Sequence, residues 1–181
     1  MAAQGAQLVP LDMAYAALSV RPPEWRRLDW RAVPERYQAL LNHRESMTVV
    51  LERHYRDRLL VRPLWTCSRN GTYSRQVMLV REHGGQPVEM GAINLQVGAL
   101  SPEVREAIAS ERLPLGRILT AAYSSYTTRP IFFFSITPDP AMMSWFGMSV
   151  SSELYGRYAA LIVGGVCIGA VVEVLPRMPN G

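Results

Sequence analysis

Hydrophobic spacing along the chain switches between a helical and a strand period. From Val33 to about Arg56 it is helical: Val33, Tyr37, Leu40 and Leu41 recur three and four residues apart. Ser46-Met47-Thr48 then opens a second short helix, with Ser46 at the capping place before Val49 and Val50. After Asp57 the period falls to two. Leu59–Trp65 reads as a strand, Asn70-Gly71 as a hairpin turn, and Tyr73–Arg81 as the returning strand. On that strand Tyr73, Arg75, Val77, Leu79 and Arg81 share one face, and Ser74, Gln76, Met78 and Val80 the other. Gly84-Gly85 turns the chain into a third strand, Val88–Val97. Ser101-Pro102-Glu103 starts a helix that runs to about Ser110. Leu113-Pro114-Leu115-Gly116 starts another, to about Ala122. Ser124–Thr137 is a long aromatic and β-branched strand, and Pro138–Met148 a loop. A hairpin closes the chain, Tyr158–Val163 and Val166–Val174 around Gly164-Gly165. Strands joined by tight turns predict an α+β fold, an antiparallel sheet with helices on one side, and exclude a doubly wound βαβ sheet.

The 181 residues are 49% hydrophobic and 19% charged. Such a chain buries roughly 70% of its unfolded surface without a metal or disulfide staple. It is too apolar for intrinsic disorder. The first 30 residues mix prolines with Trp25, Trp30 and Arg26-Arg27 and read as an arm or short helix outside a single domain over 31–181. They show no basic start followed by an apolar core. The apolar run from Tyr158 to Leu175 is broken by Gly164-Gly165, so neither half reaches the ~20 residues of a bilayer span. Cys67 and Cys167 read as small hydrophobes of a reducing compartment. A cytoplasmic protein off the membrane is expected. The net charge of +4 is spread along the chain, which argues against nucleic acid and leaves a small anionic ligand open.

His43, His54 and His83 lack ligand spacing, so no metal site is expected. Neither a P-loop nor a dinucleotide fingerprint is present, so no nucleotide cofactor is expected. What remains is Arg75 and Glu173, each inside an apolar strand. Either is costly to bury alone, so each needs a partner: the other, or a ligand. Arg129 and Arg157 pose the same question. Met47, Met90, Met142, Met143 and Met148 serve a core or an apolar pocket.

Five pieces in order carry a family resemblance. Leu40-Leu41 leads into Ser46-Met47-Thr48; Ser74-Arg75-Gln76-Val77-Met78-Leu79, Pro114-Leu115-Gly116-Arg117, Tyr155-Gly156-Arg157 and Val172-Glu173-Val174-Leu175-Pro176 follow. Together, over roughly residues 35–176, they resemble the chorismate lyase family, and within it the branch found in actinobacteria, archaea and cyanobacteria. The resemblance implies a six-stranded antiparallel sheet with helices on one side and flaps over a buried ligand. It implies conversion of chorismate to 4-hydroxybenzoate and pyruvate, without metal or organic cofactor. Arg75 would then hold the ring carboxylate, Glu173 would meet the ring hydroxyl, and backbone groups at Met47 and Leu115, with Thr48 beside them, would complete the pocket. The best-known branch carries a second arginine on the following strand, where this chain has Ala92. Arg129 and Arg157 are the candidates to take the enolpyruvyl carboxylate in its place. The alternatives are an aromatic-acid-binding module without turnover, and a family member acting on another unsaturated intermediate. The oligomeric state is left open.

Overall fold

Positive φ angles of 51° at Asn70 and 75° at Gly71 close a two-residue hairpin between β2 (Leu59–Arg69) and β3 (Thr72–Arg81). Gly84-Gly85 and Gly164-Gly165 also take positive φ, leading into β4 (Pro87–Gln96) and joining β6 (Leu154–Val163) to β7 (Val166–Leu175). With β5 (Thr127–Ile136) these are the six strands expected. A seventh, β1 (Trp25–Leu28), comes from the N-terminal arm and pairs with β5 at the sheet edge. The order is β1-β5-β6-β7-β4-β3-β2, and every neighbouring pair is antiparallel. The computed structural model describes residues 7–178, so the outermost ends of the arm and of the 31–181 domain lie outside the described residues.

Alternation on the strands sorts the core into two layers. Tyr73, Val77 and Leu79 of β3 face α2 (Glu35–Leu41), α3 (Met47–Tyr55), α4 (Pro102–Ala109) and α5 (Leu115–Ala122). Met78 and Val80, with Met90, Ala92, Val172 and Val174, face the other way. There α1 (Val9–Ala17) and α6 (Pro140–Phe146) cover part of the sheet, on the face opposite the main helical layer of α2–α5. Burial of Leu11 and Tyr15 fixes α1 in place; a fully buried large apolar side chain contributes about 1.5–3 kcal/mol.

Three expectations change. The loop read over Pro138–Met148 contains α6. Asp139 Oδ1 accepts the Met142 N–H at 2.7 Å, Pro140 takes the first helical place, and Gly147 ends the helix at φ 66°. Ser101 does the equivalent for α4, accepting from Val104. Ser46 stands at the cap of α3 but makes no capping bond. Cys67 and Cys167 are exposed rather than buried, one on the edge strand β2 and the other beside the final turn. The aromatic run of β5 divides between the two layers: Phe132 stacks on Trp25 at 5.8 Å and on Tyr158 at 5.1 Å, while Phe133 packs on the α2–α3 side and Phe134 on the α1–α6 side. Among the described residues no helix is long and apolar enough to cross a membrane.

Candidate functional site

Beneath α3 and α5 the sheet encloses a cavity. Its lining includes Ser46, Met47, Thr48, Arg75, Glu89, Gly91, Leu115, Gly116, Tyr126 and Glu173. Its volume is about 40 Å³, against the roughly 10–15 Å³ that one water needs, so the space is snug.

Two helix beginnings form the roof. Met47-Thr48 of α3 and Leu115-Gly116 of α5 border the cavity, and neither helix has a side-chain cap among the described residues. First-turn N–H groups and the positive end of each helix dipole therefore face this region, which favours an anion. The approach is close enough to require glycine. A Cβ at position 116 would overlap Ser46 Oγ and stand 2.7 Å from Thr48 Oγ1. Arg117 and Glu52 form an ion pair that joins α5 to α3, while Glu52 Oε1 also accepts the Leu59 N–H at 3.0 Å. Motif Pro114-Leu115-Gly116-Arg117 thus sets the two N-termini side by side.

The sheet forms the floor. Arg75 of β3 is 2% exposed, and its Nη1 has no hydrogen-bond partner among the described residues. Burial lowers its pKa, partly offset by Tyr73 and Glu111. A buried donor left unpaired costs about 1–3 kcal/mol, more when charged, and a ligand anion recovers that cost. Glu173 of β7 is 5% exposed and does not pair with Arg75. Its register neighbours are Gly91 on β4 and Arg157 on β6, and Arg157 Nε donates to its carboxylate. Arg157 is fully buried. It also donates to the carbonyls of Leu41 at 3.0 Å and His43 at 2.9 Å, bracing the segment that delivers α3. Burial, then the Arg157 charge, lower the His43 pKa.

Of the seven residues singled out from the sequence, five meet here: Arg75, Glu173, Met47, Thr48 and Leu115. Arg157 lies behind Glu173 as its counter-ion rather than in the lining, because its donors are taken by protein groups. Arg129 is exposed on β5 and outside the lining. Ala92 points to the opposite face, buried with Met90 and Met78 against α1 and α6. An arginine at 92 would not enter this cavity, and Gly91 holds the place that faces it. Among the described lining residues, Arg75 is the one cation.

Glu89 escaped the sequence reading. It is 4% exposed, lines the cavity, and its Oε2 has no partner among the described residues. Burial and then the Glu173 carboxylate push its pKa well above the usual carboxylate range, against the opposing pull of Arg157. The signal was available: period-two alternation puts Glu89, Gly91 and Ile93 on one face, opposite Ala92. Tyr126, also missed, closes one side, and burial followed by Glu173 raises its hydroxyl pKa. Outside the cavity, Asp57, Glu82 and His83 lie together, with both Asp57 oxygens engaged by His83 and Arg81.

PhnF from Mycobacterium smegmatis is similar in structure, with TM-score 0.52 and 11% identity over 93% of this chain and 94% of that one. The two chains share an antiparallel α+β fold. At this identity the likeness speaks for fold alone. A weaker likeness, TM-score 0.39 at 8% identity, is to the C-terminal domain of Yurk from Bacillus subtilis, over 57% of this chain and 71% of that one. No protein-family model and no curated protein matches the chain.

Proposed function

We propose that this cavity belongs to a lyase that converts chorismate to 4-hydroxybenzoate and pyruvate. The carrying observation is the unpartnered, buried Arg75 Nη1 set in one cavity with Glu173 and two uncapped helix beginnings. One end of the cavity suits a carboxylate. A charge-assisted hydrogen bond there contributes about 1.5–3 kcal/mol and fixes the ring's direction. The other end offers a carboxylate, Glu173, to accept a hydrogen bond from the ring hydroxyl. The ligand class is thus an aromatic or pre-aromatic acid with a hydroxyl opposite its carboxylate.

Elimination of enolpyruvate from chorismate yields an aromatic ring, and aromatisation drives it. Positioning and proton transfer suffice, without a cofactor. Arg75 holds the ring carboxylate, the N-terminal turns at Met47-Thr48 and Leu115-Gly116 support it, and Glu173 stands at the carbon that loses hydrogen. The test is Arg75→Met, followed by calorimetric binding of 4-hydroxybenzoate and by turnover of chorismate. Binding is expected to weaken about 10- to 150-fold, the equivalent of one charge-assisted hydrogen bond, and turnover to vanish. Unchanged binding and turnover would remove Arg75 from the site and the reading with it.

A further inference from the structure

We infer that Glu89 donates the proton to the ether oxygen on which the enolpyruvyl group leaves, an assignment that rests on the lyase reading above. That oxygen departs with an electron pair and needs a proton or a cation. Among the described lining residues the one cation is Arg75, already committed to the ring carboxylate. Arg129 is exposed, and Arg157 is spent on Glu173 and on two backbone carbonyls. The carboxyl of Glu89 remains.

Its placement fits the task. Gly91 lies directly across from Glu173 in the register of β4 and β7. A Cβ at Gly91 would stand 3.1 Å from Glu89 Oε1, so the Glu89 carboxyl lies over the glycine that is register partner to Glu173. Two neighbouring buried carboxyls do not both ionise readily, and the one without a counter-ion keeps its proton. Glu173 has Arg157; Glu89 has no hydrogen-bond partner at Oε2 among the described residues. The charged and titratable groups around Glu89 are Glu173 on β7, Arg157 on β6, Tyr126 before β5 and Arg75 on β3. From the roof come Ser46, Thr48, Leu115 and Gly116, none of which titrates. A neutral Glu89 also avoids repelling the second carboxylate of chorismate.

The step balances. The Glu173 carboxylate takes the proton from the ring carbon that bears the hydroxyl, and the C–H electrons become the third ring double bond. The adjacent ring C–O bond breaks with its electron pair on oxygen, which takes the Glu89 proton. The products are 4-hydroxybenzoate and the enol of pyruvate, which tautomerises to pyruvate. Return of one proton from Glu173 to Glu89 restores the site.

The experiment compares the full-length chain with Glu89→Gln, using chorismate as substrate and 4-hydroxybenzoate as binding probe. The variant is expected to lower kcat by about 100- to 10,000-fold, the usual contribution of a positioned acid, with KM and 4-hydroxybenzoate binding little changed. Retained kcat in the variant, with the wild type active, overturns the Glu89 role alone. A wild type that binds 4-hydroxybenzoate but releases no pyruvate overturns the lyase reading itself. Two measurements stand apart from steady-state turnover by the variant. Wild-type single turnover is expected to slow in D2O, and an unchanged rate overturns the proton donation. The folded state carries a proton on Glu89 that the unfolded state loses above about pH 4.3, so stability falls as pH rises toward the raised folded pKa. Glu89→Gln is therefore expected to gain in melting temperature over the wild type at alkaline pH. Parallel curves for the two proteins overturn the protonated carboxyl.

Discussion

Two buried arginines occupy opposite situations, and their substitutions separate binding from architecture. Arg157 is satisfied by Glu173, Leu41 and His43, so its loss strands a buried carboxylate and frees the segment before α3. Arg157→Ala is expected to cost about 3–5 kcal/mol in denaturant unfolding, and adding Glu173→Gln to recover part of it. Additive losses would show that the two side chains do not stabilise each other. Arg75 is unsatisfied at Nη1, so Arg75→Met is expected to leave the unfolding midpoint unchanged or higher while removing the ligand. A large destabilisation would mean that Arg75 serves the core. The sequence marked both arginines as ionisable residues in apolar strands, but partnership is a tertiary fact. Nothing in a linear reading tells that Glu173 lies beside Arg157 across β6 and β7 rather than beside Arg75.

Elements with strong local signals were the ones legible in the sequence. Asn70-Gly71, both double glycines and Ser101-Pro102 each demand one backbone geometry, and each stands where expected. Helix α6 uses the same cap-plus-proline grammar at Asp139-Pro140, yet the surrounding prolines and methionines gave no clear apolar stripe. β1 was illegible because four residues on an edge owe their conformation to pairing with β5. The sequence reading assigned no face to Ala92 on β4, although alternation alone settles it. The meeting of α3 and α5 turns on Gly116, whose closest neighbours are Ser46 and Thr48. Gly116→Ala is expected to cost about 1–3 kcal/mol and to weaken 4-hydroxybenzoate binding, as the two helix beginnings are forced apart. Normal binding by a stable Gly116→Ala protein would show that their close approach is not needed for the site.

At the scale of the molecule, the antiparallel sheet supplies a rigid floor, and α2–α5 form a layer that closes over it. Under the proposed function, a ring enters this snug cavity when the cover yields and is held when it returns. A ligand that binds only the folded state raises stability by about 2.7 kcal/mol at a hundred times its Kd. 4-Hydroxybenzoate is therefore expected to raise the melting temperature of the wild type and not of Arg75→Met. An equal rise in both proteins would place the ligand elsewhere. The α+β architecture followed from patterning alone, while the proposed chemistry rests on five spaced motifs and on side chains that only the fold assembles. The most direct test of the account is incubation of the purified chain with chorismate, with pyruvate and 4-hydroxybenzoate measured together. Equal release of both is the result the account predicts. A folded protein that binds 4-hydroxybenzoate yet releases neither product would contradict it, leaving an acid-binding module in place of a lyase.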